Sequence, residues 1–202
     1  MLKSVSFLVI MEEKIPEANF SLKDLPSASK IDVVCRNILS VFPRENDDYS
    51  VVYYALFTRD TPTILQVKSL PNENQIYDEI AIASLIKEAR QDLEDAILAG
   101  KEISFRRIDN LHDFLEQEFQ QKNTQLIYLH EQGEFYKNYF ETIINTEKVC
   151  FILGGRRDIS VENEEIIEQF NPNKINLGPI SYLASTCIIK TLYEIDKELK
   201  LL

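Results

Sequence analysis

Residues 175–189 read "INLGPISYLASTCII", and their reading decides the fold. A short apolar run with one asparagine, Ile175 to Leu177, meets a Gly178–Pro179 step, and a helical pattern follows it at once. That is the signature of a strand-to-helix corner. Glycine lets backbone approach a ligand closely, and proline at a first helical position leaves the helix N-terminus rigid with its amides free. Glycine is scarce here: of five in the chain, Gly133, Gly154, Gly155 and Gly178 stand at the ends of apolar runs in the second half.

Outward from that corner the pattern repeats. "EISFRRI", "QLIYLH", "KVCFILG" and "KINLG" are short apolar runs, separated by helical patterns at about 110–121, 134–145 and 161–170. Strands alternating with helices need crossover connections, so an α/β fold is expected, with a mostly parallel sheet and helices on both faces. A last helix, from about Ile180 to Leu199, puts Ile188, Leu192, Ile195 and Leu199 on one stripe. In the first half, residues 3–11 read as a strand, and "SVVYYALF" and "TILQVKSL" as two neighbouring strands joined by the turn-like "TRDTP". "SASKIDVVCRNILSVF" has helical spacing, with Ser29 and Asp32 as a capping box after Pro26. A long amphipathic helix is predicted from Asp78 to Leu98, stopped by Gly100 as C-cap. No internal repeat or low-complexity segment interrupts this, and one domain over residues 1–202 is expected.

With 45% hydrophobic residues in a 202-residue chain, a sizeable core can be buried. No apolar run is long enough to span a bilayer, and the N-terminus lacks a small-residue cleavage site, so a cytoplasmic protein without membrane contact is expected. Cys35, Cys150 and Cys187 are odd in number, far apart and set in apolar sequence, which fits reduced thiols and no metal. Net charge is -11, with 10 bases against 16 acids up to Gly100 and 12 against 17 beyond it. Such a balance argues against a sequence-independent polyanion binder. Basic patches are confined to pairs, Arg106 with Arg107 and Arg156 with Arg157.

In an open α/β sheet, ligands collect beyond the carboxyl ends of the strands. "LHEQGE" (129–134), "LGGRRD" (153–158) and "NLGPIS" (176–181) all fall there, and together they can offer backbone donors and acceptors to a planar heterocycle. None matches a dinucleotide-binding glycine motif or a phosphate loop. Nucleophilic triads are unsupported, since His112 lies in a helical pattern and His130 ends a strand without a serine or cysteine partner in a motif. Glu131, Glu134 and Asp158 are the acids nearest these corners.

Four segments in order, "LKDLPSASKIDVVCRNI", "QLIYLHEQGE", "VCFILGGRRDIS" and "INLGPISYLASTCIIK", resemble the tRNA (pseudouridine-N1)-methyltransferase family TrmY, a branch of the SPOUT methyltransferases. The resemblance implies a SPOUT-type α/β trefoil knot, whose C-terminal half from about residue 100 carries the cofactor loops. It implies S-adenosylmethionine (SAM) as cofactor, tRNA as substrate with pseudouridine 54 as target, and a homodimer. The cofactor residues it carries over are Leu129, Gly133, Gly154, Leu177, Gly178, Leu183 and Cys187. Leu183 and Cys187, four apart, can face one pocket. Asp32 and Arg36 match the family's D-x-x-x-R and are the candidates for holding base and phosphate, while Arg156 and Arg157 are those for meeting RNA. The chain departs from the family where Gly155–Arg156 replaces Asp-His, where "LPSASK" replaces LPG-x-x-GR, and where "FPRENDDY" replaces a basic segment. The alternative expectation is a catalytically inactive member, a cofactor-binding or protein interaction module.

Overall fold

The structure is a computed structural model and describes residues 2–42, 48–72, 75–95 and 101–201. One seven-stranded sheet organises the chain, in the order β4-β3-β2-β1-β6-β5-β7. Its strands are β1 (Ser4–Lys14), β2 (Ser50–Arg59), β3 (Thr63–Val67), β4 (Ile103–Arg107), β5 (Gln125–Phe135), β6 (Lys148–Gly154) and β7 (Asn173–Asn176). β2, β1, β6, β5 and β7 pair in parallel, and β3 alone runs against its neighbours, making the sheet mixed. Because β4 is antiparallel to β3, its carboxyl end lies on the same sheet edge as those of the parallel strands.

Alternation along the strands sorts two cores. Phe7, Val9 and Met11 of β1 face one side with Tyr53, Phe57, Phe151 and Leu153; α1 (Ile31–Val41), α2 (Glu79–Glu94), α4 (Phe140–Ile143) and α6 (Ala184–Glu198) cover it. Leu8 and Ile10 face the other with Tyr54, Leu56, Cys150 and Ile152, beneath α3 (Leu111–Leu115) and α5 (Val161–Glu168). Ile188, Leu192 and Ile195 of the last helix are buried on the first side, as their stripe requires. Cys35 and Cys150 are buried free thiols and Cys187 is half-buried.

Several expectations are corrected. The helix at 31 is not started by a Ser29–Asp32 capping box: Lys30 is the N-cap, Ser29 and Lys30 both have positive φ, and no side chain caps the turn. A 3-10 turn at Leu25–Ser27 feeds this left-handed entry, and the Asp32 carboxylate accepts instead from Arg36 at 2.7 Å. The region 110–121 is helical only to Leu115 in α form and then widens into a π-helical turn, Glu116–Gln120. At 134–145, β5 continues to Phe135, and a 3-10 turn at Tyr136–Asn138 precedes the short α4. The last helix begins at Ala184, so Pro179 does not sit at its first position, and residues 177–183 form an irregular wall between strand and helix. Gly100, the expected C-cap, lies outside the described residues, as does the stretch 43–47 within "FPRENDDY".

Candidate cofactor site

The three glycine corners converge. At the carboxyl ends of β5, β6 and β7 their loops wall one cavity of about 470 Å³. The first loop is an excursion within β5: Leu129 and Glu134 both pair with Ile175 of β7, so residues 130–133 leave the sheet and return to it. Gly133 is required there because a Cβ would lie 2.6 Å from the Ile175 backbone, which no side-chain shift can relieve. Asn176 Nδ2 donates to the Gly133 carbonyl at 2.6 Å, fastening the third loop to the first.

The second loop is fixed to the strands beneath it. Gly155 donates its amide to the Ile10 carbonyl at 2.9 Å. Glu12, at the end of β1, accepts from the Ser160 amide and from Asn163 Nδ2, both at 2.9 Å, and from the Thr58 hydroxyl at 2.8 Å. Burial raises its pKa, but these bonds, led by the Ser160 amide, favour the charged form and hold it below the usual 4.5. In the third loop Gly178 has φ +156° and Tyr182 lies against it, its hydroxyl 2.6 Å from where a Cβ would sit. Lys190 Nζ lies 5.2 Å from the Tyr182 ring centroid and 5.0 Å from that of Tyr136, giving the tyrosine a cationic backing.

Leu129, Gly154, Leu177, Gly178, Leu183 and Cys187 all line the cavity, and Gly133 stands just behind it. Leu183 and Cys187 share it as the N-cap and first turn of α6. Burial pushes the Cys187 thiol up to about 11, so this residue is an apolar wall rather than a nucleophile. Arg156 and Arg157 line the same cavity and are exposed; Arg157 Nε lies 3.7 Å from Glu13. Asp32 and Arg36 do not line it. They pair on α1, with Arg36 also 3.6 Å from Glu79 of α2.

Among the cavity residues that the sequence reading did not single out for a role are Asn176, Tyr182, Tyr128 and Glu164. The Tyr128 hydroxyl donates to Glu164 at 2.5 Å, and His130 Nε2 is 3.8 Å from the same carboxylate. Burial first, then the bond to Glu164, pushes the Tyr128 pKa well up, so the phenol remains a donor. The period of two between Tyr128 and His130 was the available signal, since it sets both on one face of β5. Glu131 and Asp158 also line the cavity, whereas Glu134 turns away to accept from the Tyr139 hydroxyl at 3.2 Å.

This cavity fits SAM. Its volume is within the roughly 300–1,000 Å³ typical of ligand sites, its apolar walls include Leu129, Leu153, Ile159 and Leu177, and irregular backbone from three loops supplies amides and carbonyls. Glu131 and Asp158 are placed for hydroxyl or ammonium groups and suit a cationic sulfonium ligand.

Comparison with known proteins points the same way. A tRNA (pseudouridine(54)-N(1))-methyltransferase of Methanococcoides burtonii is 33% identical over 200 residues, covering 96% of both chains. One from Methanococcus maripaludis is 30% identical, covering 95% of this chain and 98% of its own. The crystal structure of Archaeoglobus fulgidus Nep1 bound to S-adenosylhomocysteine has the same fold, with TM-score 0.60 at 15% identity over 99% of this chain and all of that one. The profile of a family described as putative SAM-dependent RNA methyltransferases spans residues 5–199, and the chain belongs to that family.

Proposed function

We propose that the protein transfers the methyl group of SAM to N1 of pseudouridine in tRNA, at the position 54 for which its relatives are named. The observation that carries this reading is the convergence of Leu129, Gly154, Leu177, Gly178, Leu183 and Cys187 on one cavity in a chain of this family. Bound there, SAM supplies an electrophilic methyl on sulfur. Leu129 and Leu177, with Leu183 at the exposed rim, would pack against its apolar surface, and the loop backbones would fix its orientation. Such positioning is most of what methyl transfer needs. As N1 bonds to the methyl carbon and the carbon–sulfur bond breaks, the N1 proton must leave. The carboxylates lining the cavity are Glu131, Asp158 and Glu164, the last already engaged by Tyr128.

Asp32 and Arg36, assigned by resemblance to the target base and its phosphate, lie off the cavity in one copy of the chain and act there only from a second copy. That role requires a homodimer. Ile189 and Tyr193 on the last helix, with Ile180 and Leu183 before it, are 56%, 54%, 63% and 72% exposed, an apolar surface suited to a second copy. For the trefoil knot implied by the resemblance, the supporting feature is the irregular pairing of β5 with β7, in which Leu129 and Glu134 both meet Ile175.

Incubation of the purified protein with radiolabelled SAM and tRNA transcripts carrying pseudouridine or uridine at the target position tests the reading. Label is expected in the pseudouridine transcript alone. Binding of S-adenosylhomocysteine without transfer to either RNA would instead support a non-catalytic module, which Gly155–Arg156 in place of the family's Asp-His favours.

A further inference from the structure

The strongest cluster of positive charge is not at the cavity. Along the outer strand β4, on the opposite half of the sheet, Lys68, Lys101, Arg106, Arg107 and Lys122 converge on an open groove whose only acidic lining residue among the described residues is Glu118. In a chain of net charge -11 this is a local inversion of sign. Three of these cations are paired at the groove itself, Lys101 with Asp92 and both Arg106 and Lys122 with Glu118, which also accepts from the Tyr54 hydroxyl, while Glu94 pairs with Arg90 and Glu102 accepts from the Ser69 hydroxyl. Among the described residues, Lys68 and Arg107 are exposed and their side chains form no hydrogen bond or ion pair, though Arg107 adds to the effect by which Arg90 lowers the Glu94 pKa. Residues 96–100, Ala-Ile-Leu-Ala-Gly, add no charge.

Register connects this groove to the cofactor loops. Gly154 pairs with Ile10, the adjacent Met11 with Phe57, Phe57 with Thr63, and Thr63 with Arg107, so Arg107 and Gly154 lie nearly in one row across the sheet. Both occupy the carboxyl edge. Four strand steps of about 4.8 Å separate them, about 19 Å in all. A single nucleoside cannot bridge that distance, whereas a folded RNA with its target base in the cavity can lay its backbone along the groove.

We propose that the β3–β4 groove is a second RNA contact, binding backbone phosphates of the substrate through Lys68, Lys101, Arg106, Arg107 and Lys122, and so selecting a structured RNA over an isolated target loop. This rests on the RNA methyltransferase reading and adds to it a substrate-size requirement. Lysines on an edge strand also deter strand-to-strand aggregation. Here, however, Lys68 follows β3, Lys101 precedes β4 and Lys122 follows the π-helical turn, so the cations converge from separate segments rather than decorating one strand.

Lys68→Gln with Arg107→Gln removes the two unpaired cations and breaks no ion pair. Binding and methylation are measured with a full-length pseudouridine-containing tRNA transcript and with the isolated stem-loop carrying the same target. For the full-length RNA, KM is expected to rise about ten-fold and the log–log salt slope of binding to flatten by roughly 1.4–1.8. Values for the stem-loop, the S-adenosylhomocysteine affinity and the melting temperature are expected to stay as in the unmodified protein. Unchanged affinity for full-length tRNA overturns the inference and leaves the methyltransferase reading intact, as does self-association of the variant, which would mark the lysines as edge protection. Absence of RNA binding by the unmodified protein overturns both.

Discussion

The two halves of the sheet bury similar side chains but are held differently. On the β4-β3-β2-β1 side, strands pair residue for residue except for one register shift between Met11 and Lys14 at the end of β1, and Ile31, Val34, Cys35 and Ile38 press one face of α1 onto the sheet. On the β6-β5-β7 side the backbone leaves regular geometry at each strand end and is fastened by single contacts: the Asn176 amide on the Gly133 carbonyl, the Glu12 carboxylate under Ser160, and Tyr182 against Gly178. Burial of a stripe tolerates exchange of similar side chains, because the area removed from water is what counts. A single close contact between backbones does not. The irregular side is the one that makes the cavity.

The largest expected effect tests that difference directly. Gly133→Val would drive a branched side chain into the Ile175 backbone, whose atoms lie 2.6 Å from the Cβ position. Relief requires parting β5 from β7. The expected loss is about 3 kcal/mol of stability or more, together with cofactor binding, as read by chemical denaturation and titration with S-adenosylhomocysteine. Ile38→Val, on the regular side, should cost only about 1 kcal/mol and leave the cofactor affinity unchanged. Equal costs at the two positions would show that the halves are held alike.

The same contrast explains what the sequence could convey. The helical stripe of α1 and the alternation of β1 and β2 arise from burial, which repeats with a period, so both were legible to within a few residues. The mixed pairing of β3 with β4 was not, since a pattern of apolar runs does not state strand direction. The glycine corners pointed to the right sheet edge because scarce glycine marks close approach, and six of the seven cofactor candidates line the cavity. Their partners stayed hidden: Asn176 meets Gly133 across 43 positions and Glu12 meets Ser160 across 148, and no local pattern encodes such pairs. Asp32 and Arg36 were placed by motif alone, and within one protomer the motif does not lead to the cavity.

A smaller effect is expected at Glu12, where the irregular half is fastened to the regular one. Its folded-state pKa is held below 4.5, so its stabilisation is present above the unfolded value and is lost as pH falls through the folded one. Glu12→Gln keeps the size but gives up the charged acceptor. It should cost about 1 kcal/mol near neutrality, allowing for partial exposure, and the stability curve should flatten on its acid limb below about pH 4.5. The comparison of interest is S-adenosylhomocysteine affinity, which should fall with the loosened second loop even where the melting temperature barely moves. A variant as steeply acid-sensitive as the unmodified protein would show that other carboxylates control that limb.

The smallest effect on stability is expected at Asp32, on the regular half. Its ion pair with Arg36 spans one helical turn at 2.7 Å, a geometry worth about 0.3–0.5 kcal/mol, and no capping role adds to it. One of its oxygens, Oδ1, is buried without a hydrogen-bond partner, so part of even that gain is offset by desolvation. Asp32→Asn should therefore leave the melting temperature within a degree or two of the original. Because Asp32 lies off the cavity, S-adenosylhomocysteine binding should also be unchanged. A fall in the rate of methyl transfer of a hundred-fold or more, against that unchanged background, would place the carboxylate at the reacting base of a second copy. An unchanged rate would make the pair a surface feature of α1 and direct the search for the proton acceptor to Asp158 and Glu131 at the cavity itself.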